Sequence, residues 1–448
     1  MESRTTTSKE ALQARIIAPV SVSTSTLRGE EEKTNPPLAG PFHDESRDLQ
    51  DGEDLHLPGN VERWYLAAFF WVMIVCGWSD GTTGPLVPRM QEYFDIGYTV
   101  VSLVFVCVCI GRLGEITKLS PRDVYTLPIS FQLIAYVLLA APTPYPVFCI
   151  GFVLSGIGAG TVQCLATAFL MKLHRNQNLK QCLCQACYGL GALVSPLIAT
   201  QFSVLPHRWR LHYLSSLGLA GLSFALILFA FRASGNIEDL SNDASSNANA
   251  NAETWSKMTR IMRNRAVHAL AMWAFLYTGT EVSLGGWIVT FLQEVRGGSA
   301  SAGYASTGFW GGLTIGRLCF IWINQKVGER RIVFAYALIA IGLDLVAWFV
   351  PTLMAGAVAT SFIGLCLGPM FPIMLSVARH SIPHEIASGS VAWIQSFGQV
   401  GSAMLPFTTG VLAQAVGIEV LQPATVTMLA TMTLAWAAVL WFTRRSAR

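Results

Sequence analysis

Two carboxylates give the first chemical signal in this chain of 448 residues. Glu281 stands within Tyr277–Phe291, YTGTEVSLGGWIVTF, inside an apolar run from Ala266 to Leu292 that is long enough to cross a bilayer. Asp80 holds the corresponding place in an earlier run, GWSDGTTGPLVP. A carboxylate at the centre of a membrane helix costs roughly 2.5–3.5 kcal/mol, so it normally faces a protein interior or a water-filled path. Asp80 falls about 24 Å along its run and Glu281 about 22 Å along its own. Equal depth at matching positions places both on one central cavity. Desolvation there disfavours the charged form, so either acid can exchange a proton and couple it to solute binding. The plainer alternative is a buried acid tied to backbone or to a neighbouring helix.

Other residues on these runs could meet a solute or close a gate. Gln163 adds a donor and an acceptor suited to a hydroxylated molecule, among Gly156, Gly158, Gly160 and Thr161. Trp287 and Trp393 could stack on the apolar face of a sugar ring, or serve as packing and interfacial residues. Gln395 and Gln399 lie one turn apart. Arg112 and Arg317 end the second and eighth runs. They read as charged anchors, or as a cytoplasmic gate in which each caps helix carbonyls or pairs with an acid across the two halves. Asp344, a third intramembrane acid, has no polar stripe beside it and reads as a snorkelling or incidental residue. Cys182, Cys184 and Cys187 have no second ligand cluster and read as small packing residues, so no metal and no cofactor is expected.

The elements that position these residues follow from composition. The chain is 52% hydrophobic and only 13% charged, and its mean hydropathy is +0.46. A soluble protein carries about 25% charged residues. A net charge of +3 with no basic stripe argues against nucleic acid. Twelve apolar spans can be drawn, at 64–88, 97–113, 124–142, 145–171, 182–205, 211–232, 266–293, 300–324, 332–350, 352–378, 386–415 and 420–442. Residues 1–62 are polar and read as a disordered cytoplasmic tail. The expected divisions are a six-helix bundle at 63–233, a cytoplasmic linker at 234–265, a second bundle at 266–443 and a short tail at 444–448. The linker contains the low-complexity SNDASSNANANAE. Lys172, Arg175, Lys180, Lys257, Arg260, Lys326, Arg330 and Arg444 all fall on one side if both termini are cytoplasmic. Arg208 and Arg210 are exceptions on the outer side. The expectation is an all-α, multi-pass membrane protein of twelve transmembrane helices in two pseudo-symmetric six-helix bundles. Its second helix is short: about 13 apolar residues precede Arg112, against the roughly 20 a span needs.

The two halves resemble each other. Asp80-x-x-x-Gly84 matches Glu281-x-x-x-Gly285, each followed by a Gln-Glu pair. Gly97-Tyr98 and Ile110-Gly-Arg-Leu113 match Gly303-Tyr304 and Ile315-Gly-Arg-Leu318, and Gly191-ALVS-Pro196 matches Gly401-SAML-Pro406. Four features in the same order point to parallel six-helix repeats.

On these residues the chain resembles a known family. YTGTEVSLGGWIVTF, SAGYASTGFWGGLTIGR, INQKVGERR, GQVGSAMLPFTTGVLAQ and GWSDGTTGPLVPRMQEYF are similar to the fucose and glucose/galactose permeases of the major facilitator superfamily, above all its fungal branch. The likeness runs from about Trp64 to the end of the chain and implies the major facilitator fold. By resemblance, Asp80 lies within a turn of the first-helix acid of the fucose permease, and Glu281 matches the acid of the seventh-helix motif. Gln163 stands where the fucose permease has a fourth-helix glutamate, so a protonatable group of its relay is replaced. The segment RLGEITKLSPRDVYTLP departs from the family, which has a longer helix and an Asp-Arg-x-Gly-type motif there. An altered exon junction would produce this, and full-length transcript sequencing tests it.

The functional expectation is a secondary active transporter working by alternating access, with proton-coupled uptake of a small sugar-like solute, as a monomer in the plasma membrane. Proton-antiport efflux of an organic metabolite or toxin is the alternative. No Walker loop, HExxH or GxSxG motif in a suitable context argues for an enzyme or an ATP-driven motor.

Overall fold

The computed structural model describes residues 59–114, 121–171, 177–205, 208–234 and 250–446. The first 58 residues of the chain, the altered loop at 115–120 and the polar stretch at 235–249 lie outside them. The described residues form helices and short turns, with no strand among them. In chain order the helices are α1 (Gly59–Phe94), α2 (Tyr98–Val101), α3 (Leu103–Leu113), α4 (Pro121–Ala140), α5 (Tyr145–Met171), α6 (Gln177–Ser203) and α7 (His212–Ser234) in the first half. The second half follows with α8 (Ala250–Arg263), α9 (Arg265–Glu294), α10 (Tyr304–Cys319), α11 (Ile321–Val327), α12 (Glu329–Phe349), α13 (Leu353–Leu367), α14 (Met370–Ser381), α15 (His384–Val416) and α16 (Leu421–Ser446). With α2–α3, α10–α11 and α13–α14 each counted as one interrupted passage and α8 set aside, these make twelve passages, six in each half.

Local chemistry sets the ends. Asn264 caps α9, its side chain accepting from the Ala266 amide at 3.0 Å. Gly417, at φ +90°, ends α15, where a side chain would be strained. The tenth passage breaks at Pro369, which has no amide hydrogen to continue the ladder. The first passage runs past both Pro85 and Pro88 to Phe94, further than the sequence span ending at 88. The short second passage runs from Tyr98 to Leu113, and the Gly114 amide folds back on Ile110 and Gly111 at 3.1 Å each.

Among the described residues, seven helices are long and apolar enough to cross a membrane by length and composition. α9 is not one of them, and the reason is its position. It buries Thr280, Glu281, Ser283 and Thr290, because it faces other helices instead of lipid and has no need of an apolar surface.

The packing differs between the two ends of the bundle. At the near end, where the first and last described residues lie, each half has its own core. One gathers Tyr65, Phe69, Met73, Val162 and Phe169 from the first half. The other gathers Trp273, Tyr277, Tyr336, Met374 and Trp436 from the second, with Ala192 of the first half at its edge. At the far end a single core is shared: Leu86, Met90, Val104 and Phe105 pack with Trp287, Ile288, Phe291 and Ala413. α1 and α9 cross there in direct backbone contact. A Cβ on Gly84 would sit 2.2 Å from the Gly285 carbonyl oxygen, so the glycine of each acid-x-x-x-Gly motif belongs to the crossing. Tyr98 donates to Glu294 and Gln201 to Tyr304, joining the halves again at that end.

Within 234–265, helix α8 buries Ile261 and pairs Arg260 with Glu385 at 2.5 Å.

Candidate functional site

α1 and α3 run back from the turn between them, and that geometry decides which charges meet. Asp80 and Arg112 each lie about 21 Å of helix from that turn. They therefore face each other, and Arg112 Nη2 donates to Asp80 Oδ1 at 2.5 Å. Tyr188 of α6 donates to the other carboxylate oxygen at 2.7 Å. Gly160 of α5 backs the arginine: a Cβ there would stand 3.0 Å from the Arg112 Cα.

The second half repeats the arrangement. Glu281 on α9 and Arg317 on α10 each lie about 20 Å of helix from their own turn. Arg317 Nη2 donates to Glu281 Oε1 at 3.4 Å. Only 8% of the glutamate side chain is exposed, against 20% for Asp80. Tyr277, one turn before Glu281, interacts with both Glu281 and Arg317, and its hydroxyl donates to the Leu367 carbonyl at 3.1 Å.

The two pairs form one cluster. Arg112 Nη1 donates to Gln399 Oε1 on α15 of the other half at 3.1 Å. The Arg317 guanidinium lies 5.9 Å from the centre of the Tyr188 ring. Glu281 is within electrostatic reach of Asp80 and of Tyr188. Two cations and two anions, each no more than 20% exposed, thus meet where the shared far-end core gives way to the separate near-end cores. Burial of this kind is tolerated only when the charges are paired and hydrogen-bonded.

This geometry corrects two sequence expectations. Arg112 and Arg317 neither anchor helix ends at the interface nor pair with an acid across the halves: each is drawn inward onto the acid of its own half. Asp344 does not snorkel. It is fully buried, and Thr425 of α16 donates to it at 2.6 Å.

The remaining candidates are scattered. Gln399 belongs to the cluster, and its backbone oxygen also accepts from Cys109 at 3.2 Å. Gln395 is exposed, a turn away on the same helix. Gln163 is half-buried on α5, one turn beyond Gly160. Trp287 is fully buried in the far-end core, donating to the Pro406 carbonyl at 3.0 Å beside Tyr98 and Phe105, so its ring meets protein on its faces in this state. Trp393 packs on Phe397 at 5.7 Å, and its indole nitrogen is buried with no hydrogen-bond partner. The sequence reading missed Tyr188 and did not single out Tyr277. Tyr277 opens the seventh-helix stretch and sits one turn from the acid, a readable spacing. Nothing in the pattern around Tyr188 marks it.

The Major Facilitator Superfamily profile matches residues 69–406. The chain belongs to the major facilitator superfamily. It is 26% identical over 403 residues to the Saccharomyces cerevisiae "Bypass of stop codon protein 6", across 82% of this chain and 80% of that protein. It is 24% identical over 381 residues to a glucose/galactose transporter of Brucella abortus, across 79% of this chain and 87% of that one. Its fold is similar to that of FucP, the Escherichia coli fucose:proton symporter, in the outward conformation: TM-score 0.58, 18% identity, 84% of this chain and 99% of the other. The chain is therefore an integral, multi-pass membrane transporter and not an enzyme.

Proposed function

We propose that this transporter carries a small sugar-like solute together with protons, by alternating access of the halves 63–233 and 266–443. The carrying observation is the buried cluster of Asp80, Arg112, Glu281 and Arg317 at matched depth. The sugar class is supported by similarity to the glucose/galactose transporter and to the fucose symporter. With both termini cytoplasmic, as loop charge suggests, the fused far end is the outer face and the state is inward-facing. The plasma membrane is the proposed location, and the monomer the proposed unit.

The physical cycle follows from pairing. An acid that takes a proton releases its arginine, and a solute that replaces the lost contacts favours one arrangement of the halves over the other. Binding shifts the equilibrium only by its differential affinity for the two states. Glu281 is the better exchanging acid, because its single charged partner stands at 3.4 Å.

The test is solute-dependent acidification of liposomes that hold the purified protein and an internal pH dye. A sugar-type substrate should acidify the interior, and Glu281→Gln should abolish that signal while sparing solute exchange. Alkalinisation on uptake would instead indicate antiport and favour efflux of an organic metabolite. Acidification retained in full by Glu281→Gln would remove the glutamate from the coupling path.

A further inference from the structure

We infer that the solute is an anion, a small polyhydroxylated carboxylate of the sugar-acid type, whose carboxylate is received by Arg317 and Arg112. This rests on the alternating-access, proton-coupled reading above and specifies the substrate of that same site.

The first support is unused donor capacity. Arg112 gives Nη2 to Asp80 and Nη1 to Gln399, and its Nε is buried with no hydrogen-bond partner. Arg317 gives Nη2 to Glu281 at a long 3.4 Å, and its Nε is likewise buried and unpartnered. An arginine has five N–H donors in a planar fork that matches a carboxylate. A buried donor without an acceptor is costly and calls for an explanation. Here two such donors occur at equivalent positions of the two halves, on guanidinium groups that share Tyr188 as a neighbour. A ligand drawing on both arginines would span the boundary between the halves, as a transported solute must.

Charge balance is the second support. Asp80, Glu281, Arg112 and Arg317 sum to zero when both acids are ionised. The groups facing Glu281 are Arg317 from α10, Tyr277 from its own helix, Asp80 from α1 and Tyr188 from α6. A proton on Glu281 removes a negative charge and leaves Arg317 buried without its counter-ion. That state is strongly unfavourable in a desolvated site. A neutral sugar supplies hydroxyl acceptors but no charge. A carboxylate supplies both, forming bidentate hydrogen bonds to the released guanidinium while its hydroxyl groups meet Gln399 and Tyr188. Proton and anion then enter together, the cluster stays neutral throughout, and neither binds well without the other. In the reverse step the anion leaves, Glu281 gives up its proton, and the Glu281–Arg317 pair re-forms.

The experiment uses the purified full chain and three polyhydroxylated six-carbon probes: gluconate, glucuronate and glucose. Thermal stabilisation in detergent and labelled uptake into liposomes are read in parallel, at two values of pH. One or both acids should stabilise the protein and enter saturably, more strongly at the lower pH, with glucose weaker by roughly tenfold or more. Arg317→Gln should weaken acid binding by about thirtyfold or more, the size seen on truncating one member of a buried charge pair. Arg317→Lys, which keeps the charge and is the control for folding, should retain part of it. Glu281→Gln, which mimics the protonated acid, should bind the anion with no dependence on pH.

Stabilisation by neither acid overturns the inference. So does unchanged acid binding in Arg317→Gln. Uptake of glucose with acidification, uninhibited by either acid, overturns it while leaving proton-coupled transport standing. Acid uptake without internal acidification does the reverse: the anion site stands and the proton coupling falls.

Discussion

The acid–arginine pairs of the two halves occupy equivalent places and are held differently. Asp80 is gripped on both oxygens, by Arg112 at 2.5 Å and Tyr188 at 2.7 Å, and Arg112 is steadied by Gln399 at 3.1 Å. Glu281 has Arg317 at 3.4 Å, near the outer limit of a hydrogen bond, with Tyr277 beside both. The cause can be read from the repeat. Aligning Gly191 with Gly401 sets Tyr188 opposite Gly398, and Gly189 opposite Gln399. The tyrosine lies in one half and the glutamine in the other, yet both serve the first pair. The glycines opposite them have no side chain to offer the second. A doubled fold has thus become unequal at its centre: one pair is a fixed post, the other an exchangeable contact.

The strongest way to break that contrast is to remove each arginine in turn. Arg112→Gln should lower stability by about 3–5 kcal/mol, the cost of leaving a buried charge unpaired, read as a fall in the thermal midpoint of the purified protein. Adding Asp80→Asn should recover most of the loss, because the remaining groups are then neutral. Arg317→Gln should cost less, since Glu281 has less hydrogen bonding to lose and can take a proton in compensation. Equal losses at the two positions would erase the distinction between post and exchangeable contact.

Much of this centre was legible before any coordinates. The acids, the arginines, the repeat and the twelve passages all follow from apolar runs and spacing. Even the same-half pairing was available, since Asp80 and Arg112 lie equally far from the turn joining their helices, as do Glu281 and Arg317 from theirs. The competing signal is that an arginine closing a short apolar run looks like an interfacial anchor. Three features could not be read. Tyr188 depends on how α6 rotates against α1, which periodicity does not fix. The glycines of the acid-x-x-x-Gly motifs look like ordinary membrane glycines until α1 and α9 are seen to touch. The burial of Asp344 depends on Thr425, a residue of a different helix with no pattern linking the two.

Those glycines carry the next contrast. A Cβ at Gly84 meets the Gly285 carbonyl oxygen at 2.2 Å, whereas one at Gly285 meets the Trp310 ring at 3.0 Å. Backbone cannot yield as a side chain can. Gly84→Ala should therefore oppose far-end closure by about 1–3 kcal/mol, the usual range for overpacking, and Gly285→Ala by less. Impermeant thiol labelling of a cysteine placed at Leu86, in the shared core, would report it. Equal labelling in the two variants would show that the crossing is not what seals this end.

A smaller change should make the first pair behave like the second. Tyr188→Phe keeps the ring beside Arg317 and deletes the hydrogen bond to Asp80, worth about 1.5–3 kcal/mol for a charged acceptor. Asp80 should then be held by Arg112 alone, and the thermal midpoint of the purified protein should fall accordingly. An unchanged midpoint would mean that Arg112 and Gln399 alone suffice to fix Asp80.

The smallest effect is expected at Asp344, and it tests whether the central cluster is the whole proton machinery. This acid is as buried as any in the chain's described residues, but it lies between α12 and α16, where Thr425 is its one hydrogen-bond partner among those residues and its second oxygen has none. A side-chain amide at this position would keep an acceptor for Thr425 and add donors where the unpartnered oxygen now sits, so Asp344→Asn should shift stability by no more than about 1 kcal/mol. The pH profile of uptake should not move, because α12 and α16 contribute no group to the Asp80–Glu281 cluster. A profile that shifts would show that a proton taken up at the flank of the second half is felt at its centre. The inequality of the two pairs would then be only part of the coupling, and the second half would have two acids at work against one in the first.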